Sequence, residues 1–188
     1  MLQDFLQKNG IQGKDQLIQL AHAVNGIPWG EARTVEEVLE KNIGTCTGKH
    51  LILQACFDEL GIVYRPVVCT FKWSDQGLGL PEHLQSILDE GEWVHGHNFV
   101  QIQNEDGEWI DLDVTWDSPL SSHGFQPLPQ DWDGNSSFIG VRNIIDRWDG
   151  ASIAEKKSEL IGSLSDDQRE RRELFLEGFI EWIDTPHT

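Results

Sequence analysis

The chain has 188 residues, 38% of them hydrophobic, with eight Trp and a formal net charge of −18. The apolar and aromatic content excludes a disordered chain, and the negative charge has the wrong sign for nucleic-acid phosphates or anionic membrane surfaces. Basic partners could be steered to such a surface, although charge of this kind speaks first to solubility.

Residues 1–25 carry two helical apolar stripes, Leu2, Phe5 and Leu6, then Leu17, Ile18, Leu20, Ala21 and Val24. Gly10 and Gly13 separate them and Gly26 closes the second. Met1 to Lys8 lacks a basic start followed by an apolar run, so no secretory signal is expected there. No stretch is apolar and long enough to span a bilayer. Three cysteines, an odd number, make no disulfide framework and fit a reducing cytoplasm.

Ile27-Pro28-Trp29-Gly30 reads as a turn or extended segment. Thr34-Val35-Glu36-Glu37 matches a capping box and opens a short helix. Gly44 to Gly61 then reads as a loop running into a helix, with Thr45 as N-cap and Cys46 in the first turn. Leu51, Ala55 and Leu60, with Ile52 and Cys56, recur at helical spacing, and Gly61 suits a left-handed end. Unpaired N–H groups and the helix dipole at that entry favour a thiolate.

Residues 62–73 are β-branched and aromatic and predict a strand, with Pro66 at an edge, a bulge or its first turn. A short helix is expected over 81–88, and strands at about 93–103 and 108–115. Residues 117–150 read as irregular, anchored by Trp132 and Trp148. Capping boxes at Ser152 and Ser165 open helices in 151–188, whose last apolar face holds Leu174, Phe175, Phe179, Trp182 and Ile183.

Parity fixes the hairpin. Val100 and Ile102 must share a face with Ile110, Leu112 and Val114, which requires opposed residues of even sum. A two-residue Asp-Gly turn fails this. A three-residue loop, Glu105-Asp106-Gly107, with Gly107 left-handed, succeeds and sets Asn104 opposite Glu108. Phe99 then faces Asp113, and Asp113 is a diagonal neighbour of His97 on the side away from the aliphatic core. Packing of the Cys46 helix beside that pair would assemble a nucleophile, a base and an orienting carboxylate.

Four pieces occur in order: Gly44-Thr45-Cys46 leading a helix, Leu60-Gly61-Ile62-Val63-Tyr64-Arg65 at its end, His97-Asn98-Phe99, and Trp109-Ile110-Asp111-Leu112-Asp113-Val114-Thr115. Together they make the chain resemble the transglutaminase-like (protein-glutamine γ-glutamyltransferase-type) superfamily, whose core is papain-like. The resemblance covers about residues 27–116. Phe99 stands where Trp is usual and Val114 where Pro is common. The resemblance implies Cys46 as nucleophile, His97 as general base and acid, and Asp113 as the group that orients the imidazole. It implies acyl transfer through a thioester, with a peptide or protein substrate and no cofactor. The Cys46 N–H and the Trp29 indole N–H are the candidate oxyanion donors.

Rivals stand beside these residues. His95 shares the face of His97, and Asp111 that of Asp113. His50 is expected as a solvated helix residue and Asp117 as a turn residue, while Cys56 and Cys69 fall on core positions. A zinc site of Cys46, His50, His95 and His97 lacks the usual ligand spacings, so no metal is expected. Asp131 to Asn135 does not complete a calcium loop.

The expected fold is α+β in one domain over 1–188. A papain-like, transglutaminase-like core occupies 27–116, with an antiparallel sheet on the Cys46 helix. An irregular segment (117–150) and a helical C-terminal cover (151–188) follow, and the N-terminal extension is helical. The expected function is a cytoplasmic thiol-dependent hydrolase or acyltransferase acting on peptide or glutamine-like amides. The alternative is a related module that holds a peptide without turnover.

Overall fold

A computed structural model describes residues 1–184 of the chain. The two N-terminal stripes form α1 (Leu2–Lys8) and α2 (Leu17–Asn25). The Thr34 capping box opens α3 (Val35–Lys41), with the Thr34 hydroxyl accepting from Glu37 N and the Glu37 carboxylate accepting from Thr34 N. Next comes α4 (Cys46–Leu60), closed by Gly61 at φ 67° with its N–H on Phe57 O. The buried stripe of α4 is Lys49, Ile52, Leu53, Cys56 and Phe57, whereas Leu51, Ala55 and Leu60 are only partly buried. Ile52 and Cys56 of the expected stripe are buried, but the helix is rotated away from its Leu51, Ala55 and Leu60 edge, and it turns a lysine inward.

Four strands make one antiparallel sheet in the order β3-β2-β1-β4: β1 (Tyr64–Phe71), β2 (His95–Gln103), β3 (Trp109–Leu112) and β4 (Arg147–Asp149). The hairpin has the register that parity requires, with Ile102 opposite Ile110 and Val100 opposite Leu112. Asn104 N bonds Glu108 O, and Gly107 sits at φ 78°. Asn104 Oδ1 also accepts from Asp106 N and Glu108 N, which holds the loop. The β3 ladder stops at Leu112, three residues short of the expected end. Pro66 lies early in β1, one residue before the β4 pairing begins at Val67, so its missing N–H breaks no ladder bond there. The fourth strand comes out of the segment expected to be irregular. Three residues are too few to carry a periodic signal.

The sheet separates two cores. On one side Val100, Ile102, Ile110 and Leu112 pack on Ile52, Leu53 and Phe57 of α4, with α1 and α2 behind. On the other side Val67, Cys69, Phe71 and Phe99 pack with Trp73, Trp116 and the C-terminal helix. The second side is closed by α5 (Glu82–Asp89) and α7 (Asp166–Ile183), while α6 (Ile153–Gly162) lies near β1 and β2. Phe175, Phe179 and Trp182 of α7 are buried. Leu174, expected with them, is 52% exposed because the α7 apolar face turns away from it. No helix among the described residues is long and apolar enough to cross a membrane.

The first turn of α4 lies hard against the 30–38 segment. A Cβ on Gly48 would collide with Ala32 O and lie 2.6 Å from Val38 Cγ2. We expect Gly48→Ala to lower the unfolding free energy by about 1–3 kcal/mol, as overpacking does. Gly162→Ala, with nothing within 4 Å of its Cβ, should be neutral or gain a few tenths. Urea unfolding midpoints of the two variants check this.

Candidate active site

Thr45 sets the entry of α4. Its Oγ1 accepts from Gly48 N at 3.3 Å and donates to Ala32 O at 3.2 Å, leaving Cys46 as the first helical residue. The Cys46 and Thr47 N–H groups have no acceptor within the helix and project from its positive end.

His97 comes from β2, and Asp113 from the chain just past the end of β3. The His97 Nε2–H donates to Asp113 Oδ2 at 2.7 Å, and the Cys46 thiol lies near enough to the same ring to interact with its charge. His97 and Asp113 are almost fully buried, whereas Cys46 is partly exposed. The imidazole lies parallel to the Trp116 ring, at 6.5 Å and 9°, and edge-on to Phe71. The carboxylate has further donors: Gly140 N on Oδ2 at 3.0 Å and Thr115 N on Oδ1 at 3.0 Å. Gly140 has no room for a side chain, since a Cβ would lie 2.8 Å from Trp116 Cδ1. The irregular segment thus holds the carboxylate through a glycine.

The charges follow from this geometry. Burial alone would raise the Cys46 thiol, but the Lys157 ammonium and the His97 ring outweigh it and bring the pKa down to about 6. Burial would lower His97, but the charge and hydrogen bond of Asp113, with Cys46, lift it to about 9. Asp113 stays well below the ordinary carboxylate range: burial opposes this, and the His97 charge and hydrogen bond dominate. Between those limits the resting pair is thiolate and imidazolium.

Two residues of the α4 first turn bind it to the chain beyond β3. Lys49 is fully buried, and its Nζ donates to Asn25 O, Ile27 O and Thr115 O at 2.8–2.9 Å, three donors for three carbonyls. Burial lowers Lys49 to about 7, against the pull of Asp117 and Asp113. His50 was expected in solvent and is instead fully buried, because α4 is rotated. Its Nδ1–H donates to Cys46 O at 2.7 Å, and its Nε2 accepts from Val114 N at 3.2 Å. Both nitrogens are occupied by a neutral ring, so Nε2 has no proton for Asp113 Oδ1, 3.6 Å away. Burial holds His50 down at about 4, consistent with that state. Asn98 adds a third tie, its Nδ2 donating to Cys46 O and its Oδ1 accepting from Thr47 Oγ1.

One residue at the sulfur was not foreseen. Lys157 of α6 donates from Nζ to Cys46 Sγ at 3.2 Å and to Thr47 Oγ1 at 2.9 Å. Its signal in the sequence is a cation inside the stripe Ile153, Leu160 and Leu164, the face by which α6 packs inward. Trp29 lines the same cavity of about 430 Å³ as Cys46, Lys157 and His95. Its ring packs on Phe179 and Trp116, and its backbone N–H donates to Asp117 Oδ1 at 2.8 Å.

The rival residues make other contacts. Asp111 accepts from both Arg147 Nη atoms and from Gln101. His95 accepts from the Trp93 indole at 3.4 Å. Asp117 precedes a 3₁₀ turn, as a turn residue does, but is buried there. Cys56 and Cys69 are buried, and burial pushes Cys56 up to about 12 and Cys69 higher. Among the described residues no group of three or more His, Cys, Asp or Glu is arranged to hold a metal ion.

No protein-family model matches this chain, and no curated protein matches it. A functional reading therefore rests on the side chains themselves.

Iodoacetamide should label Cys46 selectively, with a rate midpoint near pH 6, while Cys56 and Cys69 react only on unfolding. Lys157→Met and His97→Ala should each move that midpoint upward, since each removes a charge that holds the thiolate. Peptide mass spectrometry across pH 4–10 reads the result; an unmoved midpoint in both variants would contradict the assigned ion pair.

Proposed function

We propose that this protein is a thiol-dependent acyl-transfer enzyme with a transglutaminase-like, papain-like catalytic arrangement. It acts on peptide or glutamine-like amides through a thioester at Cys46. One observation carries the reading: the Cys46 thiol stands at a helix N-terminus beside the hydrogen-bonded pair of His97 and Asp113. In this reading each member has the protonation state its task requires at neutral pH.

The Cys46 thiolate attacks the amide carbonyl carbon, forming a C–S bond and an oxyanion. His97, as imidazolium, gives its proton to the leaving nitrogen, and ammonia or an amine departs. Asp113 keeps the ring in one orientation and stabilises its charge throughout. His97, now neutral, takes a proton from water or an acceptor amine, which attacks the thioester and releases the thiolate. The oxyanion meets the Cys46 N–H at the helix start, with the indole of Trp29, which lines the same cavity, as the second donor. The Lys157 ammonium beside the sulfur follows the negative charge as it moves from sulfur to oxygen.

A second reading, a peptide-holding module without turnover, draws on the same lysine. Lys157 is seated on both Cys46 and Thr47 and crowds the approach to the sulfur. The two readings part on a single experiment.

Incubation with a panel of short peptides, including Gln-containing ones, should give amide cleavage or ammonia release with a transient acyl adduct on Cys46. Cys46→Ala and His97→Ala should lose about 10³-fold or more in rate. Asp113→Asn should lose a comparable factor and some stability as well, because the same carboxylate holds Gly140 and Thr115. The rate should follow a bell in pH, rising near 6 as the thiolate forms and falling near 9 as His97 deprotonates. A reactive Cys46 that binds peptides but forms no adduct and releases no product would favour the module.

A further inference from the structure

The cavity beside Cys46 has a character opposite to that of the whole chain. Its far wall is apolar, built by Leu160, Ile161 and Leu164 with Leu176 and Ile180 of α7. Its charged lining is Lys157, Arg33 and Arg172 against the single acid Glu31. In a chain with 32 Asp and Glu residues, this is a local reversal of sign. Lys157 is engaged at the thiol. The two arginines are not engaged: among the described residues neither guanidinium has an ion-pair partner. Arg33 is exposed and Arg172 half-buried. Burial and the nearby Arg33 charge both hold Arg172 below the ordinary arginine range, with only its neighbour Glu173 opposing. His95, which also lines the cavity, is kept neutral by burial and by the Arg172 and Lys157 charges. Two guanidiniums thus line one cavity, one of them half-buried, and neither is balanced by an ion pair. A carboxylate satisfies both through charge-assisted hydrogen bonds.

We infer that this cavity selects acyl substrates bearing a carboxylate beyond an apolar chain, the chain lying on the α6–α7 wall and the carboxylate between Arg33 and Arg172. This rests on the reading of Cys46 as the nucleophile and names the substrate class for that site. The net charge of −18 repels such substrates at long range, so recognition is local. It relies on short-range contact rather than steering. The same anion chemistry is offered by a peptide C-terminus and by a Glu side chain, and both are tested below.

The test uses full-length protein and two thiol probes of equal length, 6-maleimidohexanoate and its amide. N-ethylmaleimide reads the thiol by itself. Cys46 should react with the carboxylate about tenfold faster than with the amide, the size of one charged hydrogen bond. The rate should saturate with probe concentration. Arg172→Gln should abolish that preference and Arg33→Gln reduce it, with N-ethylmaleimide rates unchanged in both. Protection of Cys46 against N-ethylmaleimide then separates the sources. Acetyl-Leu-Leu-Leu with a free C-terminus, protecting better than its C-terminal amide, assigns the main-chain carboxylate. Acetyl-Leu-Leu-Glu-amide protecting better assigns the side chain. Equal rates for the two maleimides, with Cys46 reactive to N-ethylmaleimide, overturn the substrate class and leave the nucleophile standing. A Cys46 no more reactive than Cys56 and Cys69 toward all three maleimides overturns both.

Discussion

The site depends on one anchoring: the first turn of α4 is fixed to the backbone just past the end of β3. Lys49 reaches Thr115 O together with two carbonyls at the end of α2, and His50 bridges Cys46 O to Val114 N. These bonds bring the residue preceding Val114 beside His97 and bring Cys46 near the same ring. They also explain how a helix lying on the aliphatic face of the sheet supplies a thiol to a histidine of opposite parity. β3 ends at Leu112, so the helix turn passes the sheet margin instead of its face. Burying a lysine without such partners would be strongly unfavourable. Three carbonyls around Nζ replace the water it has lost.

Electrostatics within the site form a sequence in which each charge requires the next. Asp113 accepts two backbone N–H groups besides His97, which keeps it ionised despite burial. An ionised Asp113 raises His97, and a charged His97 lowers Cys46. Removal of His97 would leave the buried Asp113 carboxylate without its cation, the costly case for an ion pair in a protein interior. The same coupling fixes the pH window of the pair's contribution to stability. Cys46, depressed to about 6, contributes stability above its unfolded value that is lost as pH falls through 6. His97, raised to about 9, contributes stability below its unfolded value that is lost as pH rises through 9. The intervening interval is where the charged pair is intact.

The C-terminal helices connect packing to this chemistry. Through Ile153 and Leu160, α6 presents an apolar face continued by Leu164 just beyond its end, and Lys157 on that face is directed to the sulfur. Phe175 and Phe179 of α7 fill the second core against Trp73, while Arg172, on the same helix, borders the cavity. Docking of these helices therefore sets both the thiol's charge environment and the shape of the space in front of it. A chain that is acidic overall encloses a small basic volume, where α6 and α7 bring Lys157 and Arg172 to the same cavity as Arg33.

What was legible in the sequence was local or periodic. Thr45 and Gly61 mark the ends of α4 through capping chemistry that acts within a few residues. The two-residue alternation of the hairpin, with Gly107 as the left-handed residue, requires the Asn104–Glu108 register and so brings Asp113 to His97. Other features were decided only by tertiary packing. The rotation of α4 about its axis, which buries Lys49 and His50, depends on which of two adjoining stripes finds the larger apolar surface. Of the expected stripe, Ile52 and Cys56 are buried, and Leu53 and Phe57 join them, while Leu51, Ala55 and Leu60 lie at the margin. The roles of Gly140 and Lys157 are set by contacts across dozens of residues, which leave no mark in local spacing. The cation within the α6 stripe is visible once the fold is known. The sequence by itself determined the helix caps, the hairpin register and the order of Cys46, His97 and Asp113, because side-chain alternation and backbone hydrogen bonding act at short range. Only the tertiary structure decided that the three meet, that Lys157 joins them and that the cavity before them is positive, because burial and long-range contact set those charges and distances.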